Sequence, residues 1–246
     1  MANTTAPIVA SSVPKKGLLA RFFGMITSPK ETYQSVVAHP QWFGMFALTV
    51  LIIAICAAAP LTTEAGQQAQ VENQVTQMQN FGMQVNDQQY ARMQKQARFA
   101  PYFAAGGIIV ASPIFALIFT GILFAVFNAA LGGESTFKQL FSVWVHSGVI
   151  STLGQLFTAP INVIRGSVGS STNLAVLLPM IEEGSFLGKL LGMIDLFVVW
   201  WVIVLAIGLG VLYRRRTQPI AMTLFGVYAV IAIGAAVIMS RLGGTH

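Results

Sequence analysis

Charge is what this chain has least of. Only 9% of its 246 residues are Asp, Glu, Lys or Arg, where a soluble domain carries about a quarter. With 55% of the residues hydrophobic, much of the apolar surface has to face lipid rather than water. Cysteine is nearly missing: Cys56 stands alone, which excludes a disulfide framework, a CxxC redox pair and a thiolate metal site. The histidines, His39, His146 and His246, fall in separate segments and do not gather round one metal ion. No catalytic pair recurs at one depth. The expectation is therefore a protein that is not an enzyme and that binds no cofactor and no metal. A cleavable leader is not expected either, because the first apolar patch, Leu18 to Ile26, is short and interrupted by Arg21.

What is present is a set of long apolar runs. A helix needs about 20 such residues to cross about 30 Å of hydrocarbon. Five segments reach or approach this: Phe43–Leu61, Tyr102–Leu131, Leu140–Ile164, Leu190–Tyr213 and Ile220–Ser240. The second is over-long and contains Pro113, so a tilt or kink is expected. The third carries His146, Gln155 and Asn162 with several Ser and Thr, so it should face other helices. The fourth holds one acid, Asp195, and runs into Arg214-Arg215-Arg216. Lys and Arg accumulate on the cytoplasmic side of spans. With the N-terminus inside, the inner segments hold eight basic residues against two acids, and the outer segments six against five. The sequence reads as all-α: a polytopic membrane protein with five transmembrane helices, N-terminus cytoplasmic and C-terminus outside. Its net charge of +6 suits anionic inner-leaflet headgroups rather than nucleic acid.

Punctuation divides the chain. Residues 1–17 read as a flexible N-terminus, 18–42 as amphipathic and juxtamembrane helices, 43–240 as the membrane domain, and 241–246 as a short outer tail. Leu18, Leu19, Phe22, Phe23 and Ile26 share one helical face flanked by Lys15, Lys16 and Arg21, the pattern of a helix lying on a leaflet. Ser28-Pro29-Lys30-Glu31 and Thr136-Phe137-Lys138-Gln139 read as capping boxes, the first opening a helix through Tyr33, Val36 and Val37. Gly132-Gly133 closes the second span, and Pro219 opens the fifth. The glutamine-rich insert, 64–100, places Val71, Val75, Met78 and Val85 near helical spacing. It predicts an outer helical hairpin broken between Asn80 and Asn86. Asn173 to Glu183 is too short to span and is expected at the outer interface or as a re-entrant piece. Glu182-Glu183 reads as a solvated helix end. Gly106-Gly107 and Gly208-Leu209-Gly210 read as places where helices approach closely.

An ionisable group in the membrane costs roughly 2.5–3.5 kcal/mol on insertion scales, so such residues are the default candidates. Asp195 lies about 9 Å into its span at about 1.5 Å per residue. It reads as a proton or cation site, or, as favoured here, as an acid stabilised near a helix N-terminus and satisfied by Asn162 or Arg165. His146 reads as a structural histidine with Asn128 as partner. A polar path for a transporter or channel subunit would be lined by Asn128, His146, Gln155, Asn162 and Asp195. Lys15, Lys16, Arg21, Arg214, Arg215 and Arg216 are the residues expected at the lipid surface.

Three stretches, SPKETYQSVVAHPQW (Ser28 to Trp42), LGGESTFKQLFSVWVHS (Leu131 to Ser147) and LLGMIDLFVVWWVIVLAIGLGVLYRRRTQPIA (Leu190 to Ala221), together resemble the bacterial branch of the Yip (Ypt-interacting protein) domain family. The resemblance covers roughly residues 18 to 240. It implies five clustered helices, a cytoplasmic N-terminus and, for a bacterial member, the inner membrane. Eukaryotic members are associated with vesicle traffic, membrane shaping and binding of prenylated GTPases. Their Asp-Leu-Tyr-Gly-Pro signature is replaced here by His39-Pro40-Gln41-Trp42-Phe43, so GTPase binding is not carried over. The expectation is a membrane-organising scaffold that meets lipids and a protein partner, or a second copy, through its transmembrane helices.

Overall fold

A computed structural model describes residues 13–242 apart from 81, 179 and 182–184. The readings for the first twelve residues, for Glu182-Glu183 and for the last four lie outside the described residues. Among the described residues the fold is all-helical. In chain order come α1 (Leu18–Thr27), α2 (Pro29–Ala38), α3 (Phe43–Ala58) with a 3-10 turn (Pro60–Thr62), α4 (Glu64–Asn80), α5 (Asp87–Ala97) and α6 (Ala100–Phe124). There follow α7 (Phe137–Arg165), α8 (Leu174–Leu177), α9 (Phe186–Gly192), α10 (Leu196–Leu212) and α11 (Thr217–Leu242). Among the described residues, four helical runs are long and apolar enough to cross a membrane: Phe43–Thr62, Ala100–Ala130, Phe137–Arg165 and Thr217–Ile238. α10 is apolar but only 17 residues long.

The most polar of the long helices lies at the centre. α7 packs against α1, α2, α3, α6 and α10, and 61% of its most apolar stretch is buried, against 11% for the α6 run and 17% for α11. Three of its buried hydroxyls are satisfied by the helix's own carbonyls. Ser142 Oγ donates to Lys138 O at 2.8 Å, Thr152 Oγ1 to Gly148 O at 3.0 Å and Ser147 Oγ to Trp144 O at 2.6 Å. Ser147 Oγ also accepts from Trp201 Nε1 at 3.0 Å, tying α7 to α10. Trp144 stacks on Phe119 of α6 and meets Trp201 edge-on, both at 5.1 Å. The polar third span thus faces other helices, as its composition predicts.

Glycine decides one close approach. A Cβ at Gly208 would stand 2.6 Å from Val143 and 2.7 Å from the Tyr33 ring, so α2, α7 and α10 meet only because no side chain is there. Gly106 and Gly107 have nothing within 4 Å, so they do not draw helices together within the chain.

The caps mostly follow the sequence. Thr136 and Gln139 form a reciprocal capping box at α7, and Asn86 with Gln89 does the same at α5. Ser28 stands at the N-cap of α2 with Pro29 behind it, but its side chain makes no cap hydrogen bond; the box there is not formed. After Phe124 the winding widens into a π turn, Ala125–Ala130, and the chain breaks at Gly132 with φ +66°. α4 and α5 pack as the expected hairpin, with Val71 buried. Pro219 falls two residues inside α11 rather than at its first position.

The stretch Leu190–Tyr213 is not one helix. α9 ends at Gly192, and α10 begins at Leu196 with Asp195 as its N-cap. The intervening backbone pairs with a distant loop: Leu174 N–H donates to Ile194 O at 2.9 Å, and Leu196 N–H to Thr172 O at 3.3 Å. A backbone group so satisfied can leave the helix at membrane depth. At its other end α10 closes with Arg215 N–H on Gly210 O at 3.0 Å and Arg214 at φ +51°, a Schellman closure with arginine where glycine is usual.

Candidate functional site

The elements sort to two ends of the bundle. One end holds α1, α2, the start of α7 and the junction of α10 with α11; the other holds the α4–α5 hairpin, the end of α7, α8, α9 and the start of α10. The sequence-predicted polar residues divide between them.

At the hairpin end, Asp195 is built into a turn. Its Oδ1 accepts from the N–H groups of Phe197 at 2.8 Å and Val198 at 3.3 Å, which would otherwise be unpaired at the start of α10. Its Oδ2 accepts from Ser170 Oγ at 2.8 Å and Thr172 Oγ1 at 2.5 Å. The expected partners, Asn162 and Arg165, are not its partners. Arg165 is exposed. Asn162 instead holds the other side of the same loop, donating to Gly169 O at 2.9 Å and accepting from Ser167 Oγ at 3.2 Å and Ser171 Oγ at 2.9 Å. The loop after α7 is therefore clamped between Asn162 and Asp195. Asp195 stands at a helix N-terminus, and that helix starts six residues later than the apolar run suggested.

Beside Asp195 opens a cavity of about 560 Å³, lined by Gln70 of α4, Cys56 of α3, and Gln155, Thr158 and Asn162 of α7. It joins three of the predicted polar residues, Gln155, Asn162 and Asp195. Asn128 and His146 do not line it.

At the opposite end Asn128 is closed off. Its Nδ2 donates to Ser135 O at 2.8 Å, and its Oδ1 accepts from Ser135 Oγ at 3.0 Å and Tyr213 OH at 2.7 Å. This ties the π turn to the end of α10, where Phe127 stacks on Tyr213 at 4.9 Å. Asn128 is thus not the partner of His146. That histidine is fully buried, donates from Nδ1 to Ser142 O at 2.7 Å, and among the described residues its Nε2 has no hydrogen bond.

Arg21 departs furthest from its expected place. It is 2% exposed, not at the lipid surface. Its Nε donates to Lys16 O at 3.0 Å, its Nη1 to Gln41 O at 3.4 Å and its Nη2 to His39 O at 3.2 Å. It binds α1 to the carbonyls past the end of α2, which are unpaired by the helix itself. Burial draws its pKa below the ordinary arginine value. Tyr33 of α2 is fully buried, and burial raises its phenol above the ordinary value. Lys16 is partly tucked in, with Nζ donating to Thr32 Oγ1 at 3.3 Å. Lys15, Arg214, Arg215 and Arg216 are exposed at this end. α1 shows two characters: Phe22 and Met25 are buried, while Leu19 and Phe23 are 65% and 61% exposed.

The Ser170 and Thr172 partners and the inward turn of Arg21 were not foreseen from sequence. A signal for the N-cap role of Asp195 existed, since Asp before an apolar run is an N-cap pattern, but none pointed to Ser170 or Thr172.

Comparison with known proteins adds the family. The Yip1 domain matches residues 23–239. A Bacillus subtilis (strain 168) protein described as membrane protein YknW is 26% identical over 231 residues, covering 90% of this chain and 92% of its own. No solved structure matches the chain significantly.

Proposed function

The chain belongs to the Yip1 domain family, and from that premise we propose that it is a non-enzymatic organiser of the bacterial inner membrane. It crosses five times, with α10 as the fourth crossing, the N-terminus in the cytoplasm and the α4–α5 hairpin outside. Its partners are anionic inner-leaflet headgroups, met by Lys15 and Arg214 to Arg216, and a protein partner or second copy met through transmembrane helices. The observation that carries this reading is the two-sided α1. Arg21, Phe22 and Met25 lock one side to the bundle, and Leu19 and Phe23 stay exposed on a helix beside the basic residues. A helix so held is suited to wedge into a leaflet at a fixed angle to the spans.

The test is the depth of α1. Spin labels at Leu19→Cys and Phe23→Cys in a Cys56→Ser background, with the full chain in nanodiscs, should read hydrocarbon rather than water. Depth should increase when anionic lipid is added. Labels at aqueous depth with and without anionic lipid overturn the reading.

A transporter or channel subunit is the second reading, and the cavity joining Gln155, Asn162 and Asp195 favours it. Asn128 is closed onto Ser135 and Tyr213, which interrupts the path. Proteoliposome flux that Asp195→Asn abolishes would support this reading over the first; no flux in either protein removes it.

A further inference from the structure

Two concavities meet on one face of α7. The cavity beside Asp195 is lined along α7 by Ser151, Gln155, Thr158 and Asn162, which recur at the spacing of a single helical face. A second cleft of about 400 Å³ runs between α3, α6, α7 and α10, walled by Phe46, Phe115, Trp144 and Trp201. Ser151 lines both. The helix rise puts Asn162 about 16 Å to one side of Ser151 and Trp144 about 10 Å to the other.

The polar half lacks partners. Thr158 is 8% exposed, and among the described residues its hydroxyl makes no hydrogen bond. Ser151 Oγ and the Gln155 amide make none either, and Gln70 adds another free amide from the hairpin. Of these, Thr158 has left bulk water without gaining a protein partner, while Ser151 and Gln155 are exposed and Gln70 is half-buried, all lining the cavity; a ligand that met Thr158 and the open polar groups beside it would be held. Among the described lining residues, Asp195 alone is charged. Its field opposes an anion, and no lysine or arginine stands there to offset it. The cleft below is apolar and aromatic, and the one hydroxyl on its α3 wall, Thr49, is spent on Met45 O at 2.9 Å.

The geometry points to a binding site for an amphiphile with one hydrocarbon chain and a non-anionic, hydrogen-bonding head. The head, bearing hydroxyl or ammonium groups, lies on the Ser151–Gln155–Thr158 stripe near Asp195. The chain lies in the cleft against Trp144 and Trp201. This goes beyond the membrane-organising role and does not depend on the depth of α1.

The test uses the full chain in phosphatidylcholine nanodiscs with two photoactivatable probes of identical acyl chain: a monoacylglycerol, and the corresponding lysophosphatidic acid, which adds only a phosphate. The monoacylglycerol should label peptides of α3, α6 and α7 at the cleft, several-fold more than the lysophosphatidic acid. Thr158→Val with Gln155→Leu should lower that labelling several-fold. Gly148→Leu should do so independently: Gly148 lines the cleft and a Cβ there would meet nothing within 4 Å, so leucine projects into the chain's space. Absence of cleft labelling in the wild type overturns the site. Equal labelling by both probes overturns it too, as does labelling that survives both the double variant and Gly148→Leu.

Discussion

Arg21 and Thr158 are both polar side chains taken out of bulk water, and the molecule treats them in opposite ways. Arg21 sits under α1 with three backbone carbonyls on its guanidinium. Thr158 sits on α7 beside a cavity, and among the described residues none makes a hydrogen bond to its hydroxyl. Around Arg21 the polar atoms are used in joining helices; along the Ser151–Gln155–Thr158 stripe they stay available. The difference teaches that burial does not separate a structural group from a functional candidate in a membrane bundle. Hydrogen-bond completeness does.

Removing a group from each region sharpens or breaks that contrast. Arg21→Ala should cost the most, about 3 kcal/mol, because three carbonyls lose their donor and the α1 packing is loosened. Thermal unfolding in detergent, followed by tryptophan fluorescence, checks it, and a loss below about 1 kcal/mol would mean water replaces the guanidinium freely. Asp195→Ala should cost about 2 kcal/mol, since it removes a helix cap and one clamp of the loop after α7. Asp195→Asn, which keeps an acceptor for the Phe197 and Val198 N–H groups, should recover about half of that loss in the same assay. Thr158→Val should change stability by no more than about 0.5 kcal/mol. A cost there comparable with that of Arg21→Ala would assign Thr158 a structural partner and abolish the contrast.

Much of this arrangement was legible in the chain. The helices long and apolar enough to span, α3, α6, α7 and α11, follow from run length, and the central place of α7 from the Ser, Thr, Asn and Gln it carries. The hairpin break near Gly82 and the capping box at Thr136 follow from local chemistry. Two features escaped because they are tertiary. Asp195 interrupts its apolar run by pairing with residues more than twenty positions away, and apolar residues on both sides concealed the break. Arg21 reads as a flanking charge on an amphipathic helix; only the unpaired carbonyls at His39 and Gln41 draw it inward. The cavity was half legible, in Gln155 and Asn162, but its other wall is contributed by the hairpin and α3, and no spacing in the sequence announces that.

The closure of α10 has a consequence for how the protein keeps its direction in the bilayer. Arg214 holds a left-handed backbone conformation, φ +51°, which disfavours any residue with a Cβ by roughly 1–2 kcal/mol. Glycine would relieve the strain, but it would also take one positive charge from the cluster that marks the proposed cytoplasmic side. Topological fidelity and fold stability therefore pull this position toward different residues, and the arginine found here favours fidelity.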